Sequence, residues 1–83
     1  MNKTEMLLFV KYETPIIPLE LICEEYFGCA KGTAKLRAKA GVLPIPAFRL
    51  GTSQKLPWMV NISDLAIFID KAHDEARRAW DYH

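Results

Sequence analysis

Apolar residues recur at helical spacing between residues 19 and 27, and acidic residues fall on the other side. The apolar positions are Leu19, Ile22, Cys23, Tyr26 and Phe27, and the acidic ones are Glu20, Glu24 and Glu25. Pro18 suits the first turn of this helix, because the first N–H groups of a helix have no partner within it. Gly28 is expected to end the helix, since glycine readily adopts a positive φ. The pattern therefore predicts a short amphipathic helix with a defined end.

A second helix is predicted from Ala30 to Ala40, a segment rich in strong helix formers. Gly41 caps this helix, and Pro44 prevents its continuation. At about 100° per residue, three lysines share one stripe roughly 80° wide. They are Lys31, Lys35 and Lys39. Alanines fill much of the remaining circumference and favour close packing against the preceding helix, with Arg37 on the packed side or at its margin.

The next segment has the alternating pattern of a β-hairpin. Pro44 and Pro46 give a stiff, extended entry. Alternating apolar and polar positions then predict two strands, one at Phe48, Arg49 and Leu50 and one at Trp58, Val60 and Ile62. Residues 51–57 are of types that favour turns, so a polar, basic tip is expected between the strands. The tip residues are Thr52, Ser53, Gln54 and Lys55.

The two ends of the chain are also expected to be helical. Asn2 and Glu5 have the spacing of a capping box. The apolar run from Met6 to Val10 does not by itself separate helix from strand, and a helix ending near Tyr12 is favoured. Ser63 is the expected N-cap of a C-terminal helix of up to about 18 residues.

The resulting order is helix, helix, tight turn, helix, hairpin, helix. Two short helices joined by a turn that contains glycine are typical of a helix-turn-helix, whose second helix enters the DNA major groove. The predicted fold is therefore mainly α with a small β-hairpin, a winged helix-turn-helix of the MerR or excisionase type. A chain of 83 residues is expected to form one such domain over residues 1–83.

Charge is strongly segregated along the chain although the net charge is only +1. Residues 26–63 contain no Asp or Glu, whereas acidic residues outnumber basic ones on both sides of this segment. A segment of one sign flanked by the opposite sign indicates a surface for a polyanion. No apolar run approaches the roughly 20 residues of a membrane helix, so a cytoplasmic protein without membrane contact is expected.

Double-stranded DNA is the polyanion that the predicted fold favours. Phosphate contacts require cations, and the candidates are Lys31, Lys35, Lys39 and Lys55. Base edges would be read by Thr33, Lys35 and Arg37 on the helix and by Ser53 and Gln54 on the wing. Arg49 suits either purpose, or it forms a structural ion pair with Glu24 or Asp64. Trp58 is expected to pack in the core or in the hairpin more than to stack on a base.

An enzyme is not expected. The sequence shows no catalytic triad, paired-carboxylate cleft or phosphate loop, so no catalytic residue is assigned. Cys23 and Cys29 lie too far apart for a C-x-x-C site and are too few for a disulfide scaffold. The histidines lie far downstream, so neither a metal nor a cofactor is predicted.

Several short motifs resemble those of the pyocin activator proteins of the PrtN type. They are IPLE (17–20), EYFG (25–28), LPIPAFRLG (43–51) and SQK (53–55), within a similarity that covers nearly the whole chain. More distantly, the order of elements is similar to phage excisionases and to AlpA- and MerR-type winged helices. By this resemblance, residues 31–39 correspond to the recognition helix, and Arg49 with residues 53–55 to the wing. Ala30 departs from the side-chain cap expected at the start of that helix, which leaves its N–H groups open to a phosphate.

The resemblance implies a small bacterial transcription activator of bacteriocin or prophage genes, switched on downstream of DNA damage. Its partners would be promoter DNA, where it is associated with the nucleoid, and RNA polymerase. A lone module makes few base contacts, so a homodimer or a cooperative oligomer on DNA is expected. The expected self-association surface is Ala76, Ala79, Trp80 and Tyr82. The alternatives are an excisionase-like architectural protein or an antiterminator, and a small module that binds an acidic protein.

Overall fold

The computed structural model describes residues 2–81 of the chain, and these form four helices and three short strands. In chain order they are α1 (Lys3–Tyr12), β1 (Ile16–Pro18), α2 (Leu19–Phe27), α3 (Lys31–Ala40), β2 (Ala47–Phe48), β3 (Met59–Asn61) and α4 (Ile62–Asp81). The prediction of a mainly helical fold with a β-hairpin is confirmed. Its assignment to the winged helix-turn-helix class stays a prediction.

The favoured helical interpretation of the N-terminal apolar run is confirmed. The side-chain oxygen of Asn2 accepts a hydrogen bond from the backbone N–H of Glu5 at 2.8 Å, so Asn2 caps α1 as the sequence spacing predicts. The helix ends at Tyr12, where Glu13 takes a left-handed conformation with φ 59° and donates its N–H to the carbonyl of Phe9. Pro15 follows, and the chain leaves the helix there.

The two glycines that were expected to end α2 and α3 do so. Gly28 has φ 65° and Gly41 has φ 70°, a conformation that other residues adopt only with strain. The N–H of Gly41 donates to the carbonyl of Ala38 at 3.1 Å and closes the end of α3. Ala30 precedes α3 without a side-chain hydrogen bond, so this helix start is uncapped as expected.

The sheet has one strand more than the sequence pattern indicates. Its order is β1-β3-β2 with both pairs antiparallel, and Val60 in the middle of β3 lies opposite Ile17 on one side and Ala47 on the other. Pro18 ends β1 at the sheet edge, where its missing N–H is tolerated. The predicted hairpin is present, but both strands are shorter than expected and ten residues, 49–58, connect them.

The prediction that Ser63 caps the C-terminal helix was wrong. Helix α4 follows β3 directly and begins at Ile62, whose N–H donates to the carbonyl of Pro15 at 2.9 Å. The side chain of Asn61 accepts a hydrogen bond from the N–H of Ser63 at 2.8 Å. Asn61 therefore satisfies a free N–H at the start of the helix, and Ser63 lies inside it.

The core lies between the sheet and the four helices, and on α4 its buried residues lie in the first half of the helix. The buried apolar residues are Leu8, Ile17, Leu19, Ile22, Cys23, Cys29, Ala34, Ala38, Ile45, Val60, Ile62, Leu65 and Ala66. Helix α1 packs against α4, and α2 packs against α3. Residues 71–81 of α4 are all exposed, and the described chain measures 48 × 26 × 16 Å. Within residues 2–81, no helix is both long and apolar enough to cross a membrane.

The thiol of Cys23 should react slowly with alkylating reagents in the folded protein. Burial raises its pKa, so little of the reactive thiolate is present at neutral pH. We expect alkylation of Cys23 by iodoacetamide to be slow in buffer and fast in denaturant, as followed by peptide mass spectrometry. Equal rates in the two solutions would show that the region around Cys23 opens readily.

Candidate nucleic-acid interface

The orientation of α3 is fixed by two alanines. Ala34 and Ala38 are buried, as the prediction of close packing against the preceding helix requires. At about 100° per residue, the side of α3 opposite these alanines is centred on Leu36. Leu36 is 71% exposed. The outer surface of α3 thus carries a large apolar side chain between its charges.

The three lysines of α3 are exposed, and they run along the flank that borders α2. Lys35 contacts α2 directly, because its Nζ lies 2.6 Å from the Oε1 of Glu20. This contact lowers the pKa of Glu20, first through the hydrogen bond and then through the charge of Lys35. Both side chains remain about half exposed, so the ion pair is open to exchange with a competing anion.

The remaining candidates on α3 are accessible as well. Arg37 and Thr33 are exposed and lie on the flank away from the lysines. Arg37 therefore sits at the margin of the packed face, one of the two placements expected from the sequence. Four cations of α3 point to solvent.

The loop between β2 and β3 presents its tip to solvent. Ser53, Gln54 and Lys55 are exposed, and the carbonyl of Ser53 accepts a hydrogen bond from the N–H of Leu56 at 3.2 Å. The hydroxyl of Ser53 accepts a second one from the N–H of Lys55 at 3.2 Å. A side chain at Gly51 would meet Leu56, since an added Cβ would lie 2.9 Å from its Cδ1. The tip is therefore a closed turn that holds the side chain of Lys55 outward.

Arg49 lies against the ring of Trp58. Its guanidinium carbon is 4.4 Å from the ring centroid, a cation–π contact that joins the two sides of the loop. The Nε of Arg49 is buried without a hydrogen-bond partner, and no ion pair with Glu24 or Asp64 forms among residues 2–81. Trp58 is half-buried against the core, which confirms the expectation that it packs in the hairpin.

The helix and the loop are joined at the end of α3. An open groove of about 390 Å³ follows the Pro44–Pro46 segment along α4, and a second groove of about 330 Å³ is lined by Ala38 and Gly41 on one side. The opposite wall of the second groove is formed by residues 43–47. The chain therefore passes from the end of α3 to β2 with few residues between them. The basic helix and the basic loop are therefore close to each other in the sequence, with residues 41–46 and the short strand β2 between them.

The predicted self-association residues lie on the far half of α4. Ala76, Ala79 and Trp80 are exposed there, and Tyr82 lies outside the described residues. Their role in self-association stays a prediction. In the described part of the chain, no group of His, Cys, Asp or Glu side chains is arranged to hold a metal ion.

Sequence reasoning missed two features of this surface. Glu20 was assigned only to the polar side of α2, although three residues separate α2 from a helix of opposite charge. The opposite charges of these two neighbouring helices could have predicted the ion pair between Glu20 and Lys35. The outward position of Leu36 was also not predicted, because the spacing of apolar residues alone does not show which face of α3 is buried.

Comparison with known proteins gives one family. The family model described as pyocin activator protein PrtN matches residues 4–76. The match begins in α1 and ends in α4, so it spans every helix and strand of the fold. No curated protein and no solved structure matched the chain. The resemblance indicated by the sequence motifs is thereby confirmed.

Proposed function

The chain belongs to the pyocin activator PrtN family, a family of regulatory activators and not of enzymes, and from this premise we propose that it binds duplex DNA as a winged helix-turn-helix protein. In this proposal α2 and α3 are the helix-turn-helix, and α3 enters the major groove. Residues 49–58 are the wing. The genes that it activates are bacteriocin or prophage genes expressed after DNA damage, and RNA polymerase is the protein that it recruits.

The observation that carries the proposal is the exposure of four cations on one helix directly after a tight turn. They are Lys31, Lys35, Arg37 and Lys39. The surrounding segment, residues 26–63, contributes no carboxylate side chain that would repel phosphate. A basic helix on a fold of this order is the electrostatic pattern of a DNA-binding protein.

The cations have different parts in the proposed complex. Lys31 and Lys39 are free of ion pairs among residues 2–81 and contact phosphates. Lys35 must leave Glu20 before it can contact a phosphate, so its net contribution to affinity is smaller. Lys55 at the loop tip supplies the phosphate contact of the wing.

Base reading falls to the exposed side chains on the flank of α3 away from the lysines and to the loop tip. Arg37 can donate two hydrogen bonds to a guanine, and Thr33 can contact either a base edge or a thymine methyl group. Ser53 and Gln54 are the corresponding side chains of the wing. Arg49 stiffens the wing through its contact with Trp58, and in this proposal it also contacts a phosphate at the base of the loop.

Fluorescence anisotropy on a labelled duplex across a salt series tests this proposal. We expect log affinity to fall linearly with log salt, and the slope to decrease by about one in Lys39→Ala and in Lys55→Ala. Lys71→Ala, which removes an exposed lysine from α4, is the matched control and should keep the wild-type slope. Failure to bind any duplex at low salt would exclude DNA binding and would favour the protein-interaction alternative.

A circular-permutation gel assay on the same complexes separates activation from an excisionase-like role. Recruitment of polymerase does not itself require a bend in the DNA, whereas an architectural protein works through the bend. We expect mobility that depends only weakly on the position of the site. A strong dependence would assign the architectural role.

A further inference from the structure

Helix α1 is apolar on the side that faces away from the core. Leu8 is buried against the body, whereas Met6, Leu7, Phe9 and Val10 are 52%, 57%, 42% and 66% exposed. Five consecutive apolar residues surround the axis of a helix, so one layer of neighbours covers only some of them. A helix that is apolar all round is normally buried on all sides, and an exposed apolar patch of this kind marks an interaction surface.

The outer face of α1 has a charge at each end. Lys3, Met6, Val10 and Glu13 follow one another at spacings of three and four residues along one side of the helix, Glu13 being the residue that caps it. Lys3 and Glu13 are both exposed, and neither forms an ion pair among residues 2–81. The face is therefore positive at one end, apolar in the middle and negative at the other end.

We propose that this face is a docking surface for a second copy of the chain, with the two α1 helices antiparallel. In that arrangement Lys3 lies opposite the partner's Glu13, and Met6 lies opposite the partner's Val10. The two-fold axis repeats both contacts, so two ion pairs enclose an apolar centre. Leu7 and Phe9 flank this centre.

The order of the charges is the reason for choosing a second copy as the occupant. A two-fold interface must be complementary to itself, and opposite charges at the two ends of one helix give this complementarity when the helices are antiparallel. A surface for an unrelated protein has no need of such symmetry. The position of α1 also suits the pairing, since α1 packs mainly against α4 while the proposed DNA helix α3 packs against α2.

The interface is small, and its size determines how it works. One face of a ten-residue helix offers much less than the roughly 800 Å² per partner of a standard interface. We therefore expect a weak dimer in solution that becomes effective when DNA holds two copies close together. The inference rests on the proposed function and deepens it, because it supplies a source of cooperative binding to DNA. It is tested without DNA, so that the dimer and the DNA binding can be disproved independently.

Sedimentation equilibrium of the purified chain without DNA is the test. We expect a reversible monomer–dimer equilibrium, and Val10→Glu should raise the dissociation constant at least about tenfold by placing two carboxylates in the apolar centre. Val42→Glu is the matched control, because Val42 is 65% exposed outside α1 and should leave the constant unchanged. Ala76→Glu tests the competing surface that the sequence favours on the far half of α4, and it should leave the constant unchanged if α1 forms the contact.

Charge exchange between chains tests the antiparallel register. Lys3→Glu and Glu13→Lys should each weaken self-association, because each places like charges opposite one another. A mixture of the two variants should restore dimers as heterodimers, which an ion pair within one chain would not produce. The proposal is overturned if the wild type stays monomeric at the highest accessible concentration, if Val10→Glu associates like the wild type, if Ala76→Glu alone dissociates the dimer, or if the mixture fails to associate.

Discussion

Changing both Lys31 and Lys39 to glutamate should weaken binding to duplex DNA by roughly two orders of magnitude, about tenfold for each lysine. Each change removes a phosphate contact and adds a charge that repels the backbone. The two residues lie on α3, are exposed and have no ion pair among residues 2–81, so the substitutions cost little folding free energy. Anisotropy titrations near physiological salt measure the change.

The control for this variant carries the same change in net charge elsewhere. Lys71→Glu with Arg78→Glu alters two exposed cations on α4. It should reduce affinity only slightly, because charges more than a Debye length of about 8 Å from the DNA are largely screened. An equal loss of DNA affinity in the two double variants would mean that net charge alone governs binding and that α3 is not the DNA-contacting helix. Circular dichroism of both proteins verifies that the helices are retained.

Leu65→Ala should destabilise the fold by about 2–5 kcal/mol. Leu65 is fully buried on α4, in the core shared with α1 and the sheet, so the change removes apolar contacts and leaves a cavity. The expected stability of a chain of this size is only about 5–15 kcal/mol, so this one substitution removes a large part of it. Urea denaturation followed by circular dichroism gives the difference in the free energy of unfolding.

Ile67→Ala is the matched control for this variant. Ile67 lies two residues further along α4 and is 62% exposed, so its truncation should change the free energy of unfolding by less than about 0.5 kcal/mol. A loss at Ile67 as large as that at Leu65 would mean that another part of the protein covers the groove lined by Ile67, Phe68 and the Pro44–Pro46 segment.

The parts of the fold that the sequence predicts are those with local causes. Gly28 and Gly41 end α2 and α3 because their own backbone freedom decides the conformation there. The Asn2 cap of α1 depends on a residue only three positions away. The hairpin was predicted for a similar reason, since Trp58, Val60 and Ile62 alternate with the residues between them.

The parts that were missed depend on residues distant in the chain. Ile16–Pro18 is a strand only because β3 lies beside it, and three residues ending in proline carry no strand pattern of their own. The start of α4 was misplaced because Asn61 both pairs in the sheet and caps the helix, whereas Ser63 is the better cap by residue type alone.

The candidate site shows the same division. The lysine stripe follows from spacing within one helix and was predicted at Lys31, Lys35 and Lys39. Contacts between elements were not predicted. The ion pair between Glu20 and Lys35 and the stacking of Arg49 on Trp58 both depend on the tertiary arrangement. The outer face of α1 was hidden because an unbroken apolar run does not show which of its residues the body leaves uncovered.

The pairing of β1 with β3 has a consequence for how the chain folds. Ile17 and Val60 are neighbours in the sheet but more than forty residues apart in the sequence. Closing a loop of this length costs conformational entropy before any stabilising contact has formed. Folding is therefore slower than for a helical bundle that has only local contacts. During synthesis, α2 and α3 leave the ribosome well before β3 and α4, so the sheet and the contact between α1 and α4 form last. Until then, the apolar run of α1 lacks its partner α4 and stays exposed to solvent.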